Sequence, residues 1–479
     1  MASHAHGVST TVISPDGQYL AQVTGSKVSI YSAIPLDDGS RFIGSITLKE
    51  PLASQLKVIR ISSRKGTHDS RYQKKISVSS SLPRRILCAG ESRVSVYDLE
   101  SGNWVADVDN PGGTCVEFGA NESEVLILNA WMTKASIADV DTGRIMVIKS
   151  PKACSPQAQG HGYRPRTGQF AILLKPEATD LLTIHEPSSY DVINKVSLPT
   201  VDAQGLKWSP DGRWLAVWDT ASSGTRVSIY TADGQFLRTY TGPKDLDNTH
   251  DLGVRAVEWA PADKDQKTPY LIVGKNDGTA DVVNARTFSC STVLSHTFHT
   301  PTSAPPVWRE QASPSNGEAE YAEASAFDTT PDSSGLPRGV SVLQFSHDGS
   351  FLGTVDQSRP NVVWIWSFRP SMGLVSALIH NHNVRQVLWH PSREELLVTT
   401  TNPAPTVYTW SSAEHPAIAR VPIARNDAGK YEVAWVSPST RDEPSTFWLT
   451  ASGDAVLGQV TNLGEGGQRT FNIVYSTAR

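Results

Sequence analysis

The sequence predicts an all-β chain folded as one large closed β-propeller of eight to nine four-stranded blades. Three observations predict it: a period of about 45 residues runs along the 479-residue chain, each period carries short β-branched and aromatic runs, and helical spacing of apolar residues is nowhere sustained. Each unit opens with an alternating strand that ends on an aromatic or apolar anchor. It passes through Ser-Pro-Asp-Gly or a relic of it and enters a second apolar strand. The cleanest copy is Leu206 to Trp218, with others at Val12 to Ala21 and Val342 to Leu352.

The anchors are Ile13, Ile61, Phe118, Tyr163, Trp208, Trp259, Phe345, Trp389 and Trp435, at spacings of 48, 57, 45, 45, 51, 86, 44 and 46 residues. Nine units are too many for a seven-bladed ring and too few for two ordinary rings. The count falls to eight if the poorest unit, around Ile61, is not a blade. Third strands follow in Val28 to Tyr31, Val94 to Tyr97, Val227 to Tyr230, Val363 to Trp366 and Val407 to Trp410, built from residues that suit a pleated, half-buried surface. An Asp-Gly turn such as Asp233-Gly234 then leads to a fourth strand, glycine supplying the positive φ of a tight hairpin. Residues 471 to 475 either complete the last blade or swap.

Residues 1–479 thus form a single propeller with two inserts in the long spacings. The first, 62–83, is basic and Ser-rich; the second, 295–339, lies between the sixth and seventh units and is acidic and rich in Pro and Ser, with Glu310, Glu318, Glu320, Glu323, Asp328 and Asp332. Both read as mobile loops, the second as disordered.

Lys plus Arg number 43 against 48 Asp plus Glu, a net charge of −5, which argues against a whole-chain polyanion binder. With 39% hydrophobic and 19% charged residues the chain is not wholly disordered. It has no apolar run approaching the ~18 residues of a membrane span, and residues 1–7 do not resemble a secretory signal. A cytoplasmic protein without membrane contact is the expectation. Cys88, Cys115, Cys154 and Cys290 lie far apart, as reduced thiols rather than disulfides or a zinc site.

Gly-x-Ser-x-Gly, phosphate-loop and His-Glu-x-x-His signatures are missing, so neither catalytic residue nor cofactor is assigned. His380, His382 and His390, with His296, His299, His4 and His6, lack partners at ligand spacing and read as loop residues. Asp16, Asp211 and Asp348 recur in register because Asp caps its own turn. Tryptophans 208, 259, 364, 366, 389, 410 and 435 read as core.

Two second-to-third-strand loops are candidate partner contacts: 219–226, opened by Trp218 and Asp219, and 356–361, with Asp356, Arg359 and Asn361. A candidate basic patch lies in 57–85, where nine positive charges face one acid; Arg71, Lys74, Lys75, Arg84 and Arg85 could attract an acidic polymer such as a tubulin tail or RNA. Its single aromatic, Tyr72, argues against base stacking and so against a nucleic-acid partner.

Several strings resemble the spindle-pole and centrosomal WD-repeat family that anchors microtubule minus ends: Ser150 to Cys154; Trp208 to Gly212 with Leu215 to Thr220; Gly253 to Pro261; and Pro360 to Trp366. The resemblance extends over most of the chain and includes the long sixth-to-seventh spacing. It implies a WD-repeat-like propeller without catalytic activity, partnered by a coiled-coil anchoring protein of the Msd type and, in fungi, a minus-end-directed kinesin, at the spindle pole body or centrosome. The usual Gly-His and Trp-Asp signatures are mostly degraded, which leaves blade stability to apolar packing rather than an Asp-His-Ser/Thr-Trp network. The basic insert after Ile61 is an addition to the family pattern. The alternative is an RNA- or ribosome-associated propeller resembling a translation initiation factor, and a third reading is an enzyme working in the central channel, which would need titratable residues converging on the axis.

Overall fold

The computed structural model describes residues 11–477 apart from 63–83, 111, 155–158, 244–250, 262–268, 297–305, 315–316, 325–338, 370, 424–429, 439, 441–442, 452 and 464–467. Nine antiparallel blades follow one another at 11–47, 58–109, 113–149, 161–197, 205–240, 254–295, 340–379, 384–420 and 432–476. Helix is confined, among the described residues, to Leu52–Gln55 and a 3-10 turn at Ala221–Ser223. The unit around Ile61 is a full blade, so the count is nine. Every anchor ends the first strand of a blade: Thr11–Ile13, Val58–Ile61, Gly113–Phe118, His161–Tyr163, Gly205–Trp208, Val254–Trp259, Val340–Phe345, Val384–Trp389 and Glu432–Trp435.

The Ser-Pro-Asp-Gly turns work as local caps. Ser209 Oγ donates to Asp211 (2.6 Å), Asp211 accepts the Arg213 amide (3.0 Å), and Ser209 Oγ accepts the Trp214 amide (2.9 Å). The turns at Ser14 and Ser346 repeat the pattern. First-to-second-strand turns and third-to-fourth-strand turns therefore share one face of the ring, the turn face. Second-to-third-strand loops and blade-to-blade connections share the other, the loop face.

Apolar burial falls into nine clusters, one at each junction between neighbouring blades; Leu20, Ala33, Val436, Trp448, Ala455 and Leu457 form the one between the ninth and the first. A blade has two apolar faces and can bury both only between neighbours, which is why the sheet repeats until it closes. Gln468–Ser476 pairs with Asp454–Leu463, so residues 471 to 475 complete the ninth blade, and among the described residues no strand is exchanged. Closure relies on side chains and turns: Trp448 Nε1 donates to Gly17 O (3.0 Å), Gln18 Nε2 to Ser437 O (2.5 Å) and the Ser437 amide to Asp16 O (2.9 Å). Gly17 sits at φ +69°, and a Cβ there would lie 2.0 Å from the Trp435 carbonyl oxygen.

An indole ladder crosses the blades. Trp208, Trp259, Trp389 and Trp435 each donate Nε1–H to the carbonyl of the residue just before the preceding anchor, Gly162 (3.1 Å), Lys207 (3.1 Å), Gln344 (2.8 Å) and Leu388 (3.0 Å). Trp208, Trp259 and Trp435 are thus buried core residues that also set blade registry, and Trp389 does the same from a half-buried position.

Two expectations need correcting. Within the 295–339 insert, Val307–Ala312 runs parallel to Gly373–Ile379 and turns back as Ala319–Glu323, making a six-stranded sheet of the seventh blade. These strands are ordered despite their acidic composition because an existing sheet edge supplies the backbone partners. The buried Glu310 also finds donors on both sides, the Asn381 amide (2.8 Å) and Tyr408 Oη (3.0 Å) of the next blade. Nor is stability left to apolar packing everywhere. The buried His296 and Thr354 meet at 2.7 Å, and Trp366 Nε1 donates to the same Thr354 hydroxyl (2.9 Å), so the seventh blade keeps a His-Thr-Trp network with Asp356 acting electrostatically on His296.

Candidate interaction surfaces

The two loops read as partner contacts are on the loop face, but their marked side chains are spent on holding the loops. Trp218 is buried against Gly205, whose position would admit no Cβ beside the indole. Asp219 is fully buried; its carboxylate accepts the amides of Val201 (3.0 Å), Asp202 (2.9 Å) and Thr220 (2.8 Å). Three amide donors make this an anion nest for the chain's own aspartate rather than a ligand site. Asp356, also buried, caps the Ser358 amide; Asn361 Nδ2 donates to His380 O (2.8 Å) and Arg359 Nη1 to His296 O (3.2 Å), across to the preceding connection. Of the five, Arg359 and Asn361 keep partial exposure.

The basic candidates divide. Arg71, Lys74 and Lys75 lie outside the described residues. Arg84 and Arg85 are buried and are not part of an exposed patch. Arg84 pairs with Asp16 of the first blade (2.6 Å) and lies over the Tyr19 ring, while Arg85 pairs with Asp141 of the third (2.5 Å). The guanidiniums therefore brace the second blade against both neighbours. Burial alone would raise Asp16, but hydrogen bonds from Arg84 and Ser14 outweigh it and hold the carboxyl below its ordinary value.

Sequence reasoning missed a charge cluster on the loop face, built on the buried Lys152 and Asp180 and reaching the surface at Lys175 and Asp202. Lys152 Nζ contacts Asp180 (2.6 Å) and Asp202 (2.5 Å), and Lys175 reaches Asp202 (2.8 Å). Hydrogen bonds from Lys152 and Lys175 bring the Asp202 carboxyl down to about 2. A related cluster joins Lys275 to Asp281 (3.1 Å), with Tyr240 Oη donating to Asp281 (2.8 Å). Nothing in the one-dimensional pattern marks the first cluster, since Lys152, Asp180 and Asp202 come from three separate loop-face segments.

Around the axis, Glu117 meets His161 (2.6 Å), and Lys207 contacts Glu258, whose carboxyl burial pushes up. Burial raises the Cys88 thiol to about 12 and the Cys154 thiol to about 11, which suppresses the nucleophilic thiolate. Among the described residues no group of three or more His, Cys, Asp or Glu side chains is placed to hold a metal ion, and no helix is long and apolar enough to cross a membrane. Two clefts open at blade junctions. One, of about 240 Å³, lies between Leu52 and Trp104; the other, of about 530 Å³, is walled by Arg393, Trp410, Trp435 and Val460.

No family model matches the chain. The mouse WD repeat-containing protein WRAP73 is 26% identical over 358 residues, covering 68% of this chain and 74% of that protein. An uncharacterized WD repeat-containing protein of Schizosaccharomyces pombe is 24% identical over 372 residues, covering 74% of each. The chain is similar to WD-repeat proteins. Among solved structures, a eukaryotic initiation factor superposes with a TM-score of 0.52 at 11% identity, covering 95% of this chain and 97% of that one. The C-terminal WD40 domain of Sif2 gives 0.47 at 10% identity over 87% and 97%. At these identities the likeness is one of fold. The His296-Thr354-Trp366 contacts have the residue types of the network that the resemblance to WD repeats implies. The insert after His296 separates that histidine from its own blade by more than forty residues.

Proposed function

We propose that this chain is a non-catalytic protein-interaction scaffold that helps anchor microtubule minus ends at the spindle pole or centrosome. It would work with a coiled-coil anchoring protein and a minus-end-directed kinesin. The observation that carries the scaffold reading is similarity to WD-repeat proteins across 68% and 74% of the chain, joined to a nine-bladed ring whose grouped titratable side chains engage one another. The microtubule assignment rests on the resemblance of the Trp208 to Thr220 and Pro360 to Trp366 strings. A rigid ring suits the role because it offers many surfaces at little ordering cost on binding. The RNA-associated alternative loses two of its five basic residues to buried ion pairs. Imaging a tagged copy through the cell cycle tests the reading: it concentrates at the spindle poles in mitosis, and a uniformly diffuse signal would overturn the assignment.

A further inference from the structure

The outer strand of the third blade, Ile145–Lys149, is antiparallel to Lys134–Asp139. Side chains alternate across such a sheet. Met146 and Ile148 pack toward the fourth blade with Ala135 and Ile137. The opposite face, carrying residues 145, 147 and 149 with 138, 136 and 134 across from them, is turned away from that core. On a solvated face these positions should be polar, yet Ile145 and Val147 are 57% and 53% exposed. Opposite them Ser136 is half-buried and Ala138 is buried in the core shared with the second blade, so the exposed apolar pair forms the outer rim of that junction.

At the loop-face end of this strip the charge is unbalanced. Lys134 and Lys149 are directly opposed across the strands, an arrangement that costs stability unless an anion lies over both, and the described residues bring a carboxylate to neither. Just beyond them Trp131 is 86% exposed, the most exposed large apolar residue described. Its turn is fixed: Asn129 Oδ1 accepts the Thr133 amide (2.8 Å), Asn129 Nδ2 donates to the Thr133 hydroxyl (2.6 Å), and the Ala130 amide donates to Gly112 O (2.9 Å). A tryptophan held in water on a hydrogen-bonded turn has already lost the backbone freedom that a binding anchor would otherwise lose on contact.

We propose that this strip, from Trp131 past Lys134 and Lys149 to Val147 and Ile145, docks an amphipathic helix of a protein partner, with carboxylates at the end over the two lysines. The proposal rests on the scaffold reading and names a surface for it. The five residues Ile145–Lys149 span about 13 Å from end to end, and the turn lengthens the strip to roughly three helical turns. The charge calls for an acidic segment, and the apolar pair calls for side chains that a nucleic acid does not have.

The test places a photo-crosslinking residue at position 147 of the full-length chain in mitotic cells, with position 474 on the ninth blade as control, and sequences the crosslinked peptides. The expected product is a segment with apolar residues three and four apart and acidic residues at one end. Its yield should fall at least tenfold in K134E/K149E and in Trp131→Ala, exposed-site variants whose melting should match wild type. Crosslinks to RNA or to a second copy of this chain, crosslinks that survive K134E/K149E, or none at position 147 would overturn the proposal. If the unsubstituted protein still recovers coiled-coil and motor partners while position 147 gives nothing, this surface falls and the scaffold reading stands; if it recovers no partner, both fall.

Discussion

Arg84 and Arg85 show how one residue can be misjudged from its neighbours in sequence. They close a basic run, yet each leaves it to enter a strand junction and find an aspartate on an adjacent blade. Removing Arg84 leaves Asp16 largely buried without its cation, so Arg84→Ala should cost about 2–3 kcal/mol, and Arg85→Ala, whose partner Asp141 is nearly half exposed, about 1–2 kcal/mol. Denaturant titration measures both; an unchanged midpoint would return these arginines to the surface. Three buried histidines carry a second prediction. Burial brings His296 down to about 4, His380 to about 3 and His390 to about 4, so all are neutral in the fold, whereas an unfolded chain takes up protons near 6.5. A depressed imidazole contributes stability that is complete above about pH 6.5 and is lost as pH falls toward 4. Thermal melts should therefore drop between about pH 6.5 and 4.5, by at most about 1.4 kcal/mol per unit for each histidine. His296→Gln should flatten the profile, and a flat wild-type profile would contradict the burial.

At the scale of the element, the blade was legible because its signals are local. Ser-Pro-Asp-Gly turns cap themselves, and the nine anchors mark the ends of nine first strands. What could not be read was contact between elements: the indole ladder, the Lys152 cluster, and the strands Val307–Ala312 and Ala319–Glu323, whose order depends on a sheet edge and on Tyr408. The candidate loops do join second to third strands, but their charged residues proved to be internal fasteners, since Asp219 and Asp356 are chemically indistinguishable in sequence from contact residues. The ladder itself is testable. Trp259→Phe keeps the ring's apolar bulk and loses one indole hydrogen bond, for about 1 kcal/mol; Trp259→Ala also opens a cavity and should cost about 3–5 kcal/mol. Equal losses for the two would remove the hydrogen bond from the account.

For the whole molecule, the ring is held by nine apolar junctions, and its closure is the one made without a covalent link between adjoining blades. Trp448→Ala should weaken that junction first, so limited proteolysis should release the first or ninth blade before cutting elsewhere; cleavage spread evenly around the ring would contradict closure as the weak point. The role proposed for the ring is to hold other proteins. The most direct measurement is affinity purification of the tagged full-length chain from nuclease-treated mitotic lysate, with partners identified by mass spectrometry. A coiled-coil anchoring protein and a minus-end-directed motor are expected, in amounts unaffected by nuclease. Recovery of ribosomal proteins that disappear on nuclease treatment would contradict it.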